Sequence, residues 1–126
     1  MLTGIGVDII EIERIKRGVE RSGTNFLEKI FTGTEIDYCN NKHDRYQHLA
    51  ARFAAKEAVS KALATGLQRG FGWKDIEVVN DELGKPQVVL HGPLRSKLSG
   101  ASILLSISHS DTHVVAMAVI EGKDHQ

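Results

Sequence analysis

Alanine occupies seven positions between residues 50 and 64: Ala50, Ala51, Ala54, Ala55, Ala58, Ala62 and Ala64. Side chains this small let another element come up against a helix at close range, and they bury well only when one does. The segment is also bounded. Asp44 with Gln47 imitates a capping box, and Gly66 sits where a glycine ends helices. The spacing therefore predicts one long helix over Asp44–Thr65, around which the rest of the chain must pack.

The remaining elements are read around it. Residues 2–10 alternate small and β-branched side chains and predict a strand with Asp8 near its end. Residues 11–22 predict a helix in which Ile12, Ile15 and Val19 form one apolar stripe and Arg14, Arg17 and Arg21 the opposite face, with Gly23 as the stop. Thr24–Phe31 and Thr34–Asn40 predict two short helices, each opened by its threonine. Gly66–Gly72 reads as a glycine-containing loop. Lys74–Asn80 and Pro86–His91 predict a hairpin around Asp81–Lys85. Pro93–Leu98 predicts a short helix with proline first. Ile103–Ser108 and Val114–Ile120, nearly all apolar, predict two strands in the centre of the sheet, joined around Asp111. Glu121–Gln126 reads as a polar tail. The fold class is α+β with mainly antiparallel pairing, and the length fits one domain over 1–126.

Composition excludes several functions. Sixteen Lys and Arg balance sixteen Asp and Glu. A neutral chain does not form the broad basic surface that coats nucleic acid, although a local basic patch remains open. The one cysteine, Cys39, allows no internal disulfide and no cysteine-rich zinc site, and it suits a reducing compartment. The longest uncharged run, 98–110, is interrupted by serines and His109 and falls short of the about 20 apolar residues of a membrane span. The first residues lack a basic leader region and turn acidic at Asp8, unlike a signal peptide.

Three constellations could carry chemistry. Asp8 lies inside the apolar stretch GVDII, where an unpaired carboxylate is costly. It is either a capping or ion-paired aspartate, or a metal ligand or acid/base group. Glu57 and Lys61 stand at i and i+4 in KEAVSK, the spacing of an ordinary surface ion pair. On a packed alanine-rich helix, the same carboxylate and ammonium, with Lys56 beside them, also suit a phosphate site, the carboxylate holding Mg²⁺ and the lysine facing phosphate oxygens. In Ser106-Ile107-Ser108-His109-Ser110, alternation puts the serines on one face and Ile107 with His109 on the other. His109 is either a structural histidine or a phosphate contact. Pairing with His113 as a metal site lacks a helical reason for the spacing, and no Ser/His/Asp triad is claimed. Arg69, beside Gly70, could contact a phosphate, although the loop matches neither a P-loop nor a dinucleotide fingerprint.

In combination these blocks are specific. Gly6-Val7-Asp8-Ile9-Ile10 with Arg14, then Phe53–Ala62 (FAAKEAVSKA), then Phe71–Val78 (FGWKDIEV), then Ser106–Ser110 closely resemble the bacterial holo-[acyl-carrier-protein] synthases, the small 4′-phosphopantetheinyl transferases. The resemblance spans about residues 2–121 and implies a single 4′-phosphopantetheinyl transferase domain over 1–126. It implies that fold, with a mainly antiparallel sheet against one long and several short helices. The implied reaction moves the phosphopantetheine arm of coenzyme A to a serine of apo acyl carrier protein, within fatty acid biosynthesis, and releases adenosine 3′,5′-bisphosphate.

The resemblance also implies roles. Asp8 and Glu57 would bind Mg²⁺; Glu57 and Lys61 would be catalytic, with Lys61 neutralising the pyrophosphate. Lys61, His109, Arg52 and Arg45 would contact coenzyme A. Arg14, Arg17 and Arg21 would dock the acidic carrier, though by themselves they also fit a solvated helix face. A homotrimer with shared active sites in the cytoplasm is implied too. Relatives often carry a Lys-Arg pair before the long helix for the coenzyme's 3′-phosphate. Here the stretch is Lys42-His43-Asp44-Arg45, and Asp44 breaks that pair. A transferase for another carrier, or a non-catalytic carrier-binding module, are the competing readings; the presence of Asp8, Glu57 and Lys61 speaks against the module.

Overall fold

The computed structural model describes residues 1–63 and 71–122. Arg69, Gly70 and the expected helix stop at Gly66 lie outside the described residues, as does the tail from residue 123.

The chain opens with β1 (Leu2–Glu11), followed by α1 (Ile12–Ser22), α2 (Thr24–Ile30), α3 (Gly33–Asn40) and the long α4 (Arg45–Leu63). A 3₁₀ turn (Trp73–Asp75) leads into the hairpin β2 (Ile76–Asn80) and β3 (Pro86–Leu90). A short α5 (Pro93–Lys97) precedes β4 (Ser102–His109) and β5 (His113–Glu121). Two antiparallel sheets result, one of order β1-β5-β4 and the other β2-β3.

The close approach expected of the alanines occurs between α4 and β1. A Cβ placed on Gly6 would lie 2.0 Å from the Ala58 carbonyl oxygen and 2.7 Å from the Ala62 nitrogen. Ala54, Ala55, Ala58 and Ala62 are all buried. With no side chain on the strand at Gly6 and only methyl groups on the helix, the helix lies against the strand backbone, and the residues beside the crossing face one another.

Several expectations are corrected. β4 is an edge strand, not a central one; β5 alone is central. Apolar content misleads here because both faces of this sheet are apolar. Ile10, Val114, Ala116, Ala118 and Ile120 face α4 and are buried, whereas Ile5, Val7, Ile9, Leu104, Val115 and Met117 face outward and are exposed. β1 runs three residues past Asp8. Thr24 is not a cap; α2 starts from Gly23, whose φ of 52° ends α1 with its N–H on the Val19 carbonyl. Thr32, not Thr34, caps α3, in a reciprocal box with Glu35. The first residues of the expected Lys74–Asn80 strand, Lys74 and Asp75, form the 3₁₀ turn instead, between the Trp73 and Ile76 carbonyls that accept from the Lys56 ammonium.

Lys56 is the second correction of substance. It does not face a phosphate site. Its ammonium is fully buried, 2.8 Å from Glu35 Oε1 and donating to the Trp73 and Ile76 carbonyls. Glu35 also accepts from the Thr32 and Val78 backbone nitrogens. Burial pushes the lysine pKa down, and Glu35 opposes that shift. A buried pair stays charged only when its remaining donors and acceptors are met, as they are here. The pair ties α3, α4 and the approach to β2 into one unit.

Candidate functional site: two half-sites and a basic cleft

Asp8 points from β1 toward α4, and the tight Gly6 crossing brings it beside the last turns of that helix. Lys61 Nζ lies 3.1 Å from Asp8 Oδ1 and donates to the Val7 carbonyl at 3.0 Å. The lysine thus turns to β1 and spans the crossing. Glu57, half-buried, feels three charges. Burial raises its pKa and the Asp8 carboxylate raises it further, while Lys61 and Arg14 lower it. The net shift is upward. Two carboxylates share a partly dehydrated space beside Lys61 and within reach of the Arg14 charge. Paired hard oxygen donors suit Mg²⁺, which a protein commonly holds by one or two carboxylates with phosphates supplying further oxygens. Among the described residues no third Asp, Glu, His or Cys joins them. The donor set therefore fits the ion.

A second group of expected residues lies elsewhere. His109 ends β4, on the opposite edge of the sheet from Asp8, two strand spacings of about 4.8 Å away. It borders a cleft of about 390 Å³ with Gln47, His48, Arg52, Tyr38 and Ser106. Arg52 is buried. Its Nη2 donates to Asn80 Oδ1 at 2.6 Å, and its guanidinium stacks 4.3 Å above the Tyr38 ring. Its Nε is buried and has no hydrogen-bond partner among the described residues. The same is true of Arg45 Nε. Arg45 does not line this cleft; its guanidinium sits 5.4 Å over Tyr46. Burial, then Arg52 and Lys42, push the His48 pKa down. The buried guanidinium of Arg52 in the wall of this cleft suits an anion.

Sequence reading missed Gln47 as a site residue, along with His48, Tyr38 and Asn80. Gln47 and His48 adjoin the predicted helix start, and a polar pair there was a usable signal. Tyr38 and Asn80 join only through tertiary packing and left no local trace.

The arginine stripe of α1 borders a second cleft, of about 370 Å³. Arg14, Arg17 and Arg21 are exposed at its rim, and Ile10, Phe26 and Phe53 line it as well. Because Arg14 acts on Glu57, this basic, apolar-floored cleft adjoins the carboxylate pair.

Comparison with known proteins identifies the group to which this arrangement belongs. Residues 4–118 match the 4′-phosphopantetheinyl transferase superfamily. A holo-[acyl-carrier-protein] synthase of Clostridium perfringens is 48% identical over 130 residues, covering 98% of this chain and 96% of the relative. The crystal structure of a holo-[acyl-carrier-protein] synthase from Neisseria meningitidis superposes with a TM-score of 0.84 at 34% identity, covering 96% of this chain and 99% of that one. A holo-(acyl-carrier-protein) synthase from Bacillus anthracis in complex with CoA (3′,5′-ADP) superposes at 0.80 with 38% identity, covering 98% and 99%. Sequence match, fold and the KEAVSK helix therefore agree, and the chain belongs to the 4′-phosphopantetheinyl transferase superfamily as an enzyme similar to the holo-[acyl-carrier-protein] synthases.

Proposed function

We propose that this protein is a holo-[acyl-carrier-protein] synthase, one transferase domain over 1–126, moving 4′-phosphopantetheine from coenzyme A to a serine of apo acyl carrier protein in fatty acid biosynthesis. The observation that carries the reading is the Asp8–Glu57 pair with Lys61, set beside a basic cleft.

Asp8 and Glu57 would hold Mg²⁺, which when bound supplies positive charge to the pyrophosphate oxygens. Lys61 neutralises further charge as the phosphorus–oxygen bond breaks. The serine oxygen forms its bond to the phosphorus that bears the pantetheine arm, and the bond to the bridging oxygen breaks, so adenosine 3′,5′-bisphosphate leaves. The serine proton needs an acceptor. Glu57 or a water beside the ion would take it, Glu57 being the weaker base while it holds the ion. Arg52 and His109 would hold the nucleotide phosphates in the cleft, a role the unpartnered buried Nε of Arg52 supports; Arg45, expected to join them, would have to reach in from outside the cleft. Arg14, Arg17 and Arg21 would orient an acidic carrier, with Phe26 and Phe53 beneath it.

Within one chain the His109 cleft and the carboxylate pair stand on opposite sheet edges. The outward sheet face joining them is apolar, with Ile5, Val7 and Ile9 each 55–65% exposed. A row of this kind marks an interaction surface. We infer a homotrimer in which the cleft of one copy meets the carboxylates of the next. Among the described residues no helix is long and apolar enough to cross a membrane, and we place the enzyme in the cytoplasm, where its substrates occur.

The test is the intact mass of apo acyl carrier protein after incubation with this enzyme and coenzyme A, in Mg²⁺ or in EDTA. A gain of one phosphopantetheine in Mg²⁺ alone is expected. No gain with folded enzyme and apo carrier would overturn the reading.

A further inference from the structure

We propose that Gln47 is a positioning residue that fixes the tautomer of His109, so that the ring presents Nε2–H as a donor to a phosphate oxygen. This rests on the reading of the His109 cleft as the site of the coenzyme's phosphates.

Gln47 lies on the first turn of α4 and His109 at the last position of β4. Their contact, Gln47 Nε2 to His109 Nδ1, is 3.0 Å. In this orientation the amide presents Nε2, which carries hydrogens and no lone pair to offer, so Nδ1 accepts. An accepting Nδ1 holds no proton, and the neutral ring then carries it on Nε2. The choice matters because the other tautomer would turn a lone pair toward an anion.

Nothing else among the described residues fixes this ring. His109 is exposed and ends its strand. The turn that follows is closed on itself. Ser110 Oγ accepts from the Thr112 and His113 nitrogens, and His113 Nδ1 is engaged by Thr112 Oγ1. Nε2 of His109 has no hydrogen-bond partner among the described residues. Gln47 therefore holds one nitrogen and leaves the other for a ligand, the role a supporting hydrogen bond plays for metal-bound and catalytic histidines. Gln47 also lines the same cleft, so the support sits on the rigid helix rather than on a loop.

The experiment compares Gln47→Met, His109→Ala and the double variant, with ¹⁵N NMR of the imidazole nitrogens. Gln47→Met should raise KM for coenzyme A by about 3- to 10-fold, the effect of one hydrogen bond, with kcat and KM for the carrier unchanged. It should have no further effect in the His109→Ala background. The His109 nitrogens should change from the Nε2–H pattern to a tautomer mixture. A role for Gln47 in stability alone would not move that pattern. If His109→Ala raises KM for coenzyme A but Gln47→Met leaves both KM and the tautomer unchanged, the inference fails and the cleft reading stands. If His109→Ala leaves KM unchanged, the cleft reading of His109 fails, and the inference with it.

Discussion

Two carboxylates facing each other in a partly dehydrated space store repulsion, and Asp8 with Glu57 is such a pair. The upward pKa shift of Glu57 gives the repulsion a sign. A raised carboxyl binds its proton more readily in the folded state than in the unfolded one. The associated stability is therefore present at acid pH and lost as pH rises through the folded-state value. Glu57→Gln removes the charge while keeping the shape. At neutral pH the variant should melt about 2–4 °C above the parent, a modest gain because Glu57 is partly hydrated. The gain should vanish below the ordinary carboxylate range, where the parent side chain is also neutral. Transfer should fall by at least about 100-fold. Mg²⁺ should raise the melting temperature of the parent and not of Glu57→Gln. Equal stabilisation of both by Mg²⁺ would remove Glu57 from the ion site. The residues of this pair were legible from sequence because each was misplaced by ordinary rules, an aspartate in an apolar strand and a charged pair on an alanine helix. The role of Lys56 was not, since its partner Glu35 lies 21 positions away and nothing local announces their burial.

Between elements, the Gly6 crossing decides where the site is. Gly6→Ala would drive a Cβ into backbone atoms of α4 that cannot rotate away. The strand would have to lift, carrying Asp8 with it. We expect a loss of about 3 kcal/mol or more in chemical denaturation, and a fold of parental stability would mean that the crossing is looser than described. The long helix, the hairpin and both final strands were legible because their periodicity is local. The cap of α3 shifted because Thr32 and Thr34 both stand at that helix start and only backbone geometry selects between them, and at α2 the lone Thr24 is already helical behind Gly23. The α1 stripe belongs to this scale too. Arg14→Glu with Arg21→Glu should raise KM for the carrier about 10-fold or more while leaving KM for coenzyme A nearly unchanged. An equal rise in both constants would remove α1 as the docking edge.

At the scale of the whole molecule, the three-stranded sheet has an apolar face that the described residues leave exposed. Hydrophobicity alone could not separate core from interface, which is why β4 was expected in the centre. The alternation along β5, buried at Val114, Ala116 and Ala118 and open at Val115 and Met117, distinguishes the two. Met117→Arg places a charge in the middle of that face. Sedimentation velocity should show a trimer for the parent and a monomer for the variant, and the monomer should be inactive though folded. An active monomer would mean that one chain holds a complete site.

The same claim has a more direct test. Glu57→Ala lacks the ion site but keeps the cleft, and Arg52→Ala with His109→Ala lacks the cleft but keeps the carboxylates. Each variant alone should leave apo acyl carrier protein at its starting mass. Mixed under conditions that exchange subunits, with coenzyme A and Mg²⁺, they should restore the gain of one phosphopantetheine, because some interfaces then unite an intact cleft with an intact carboxylate pair. A mixture as inactive as its components, with subunit exchange verified, would contradict a site completed between copies.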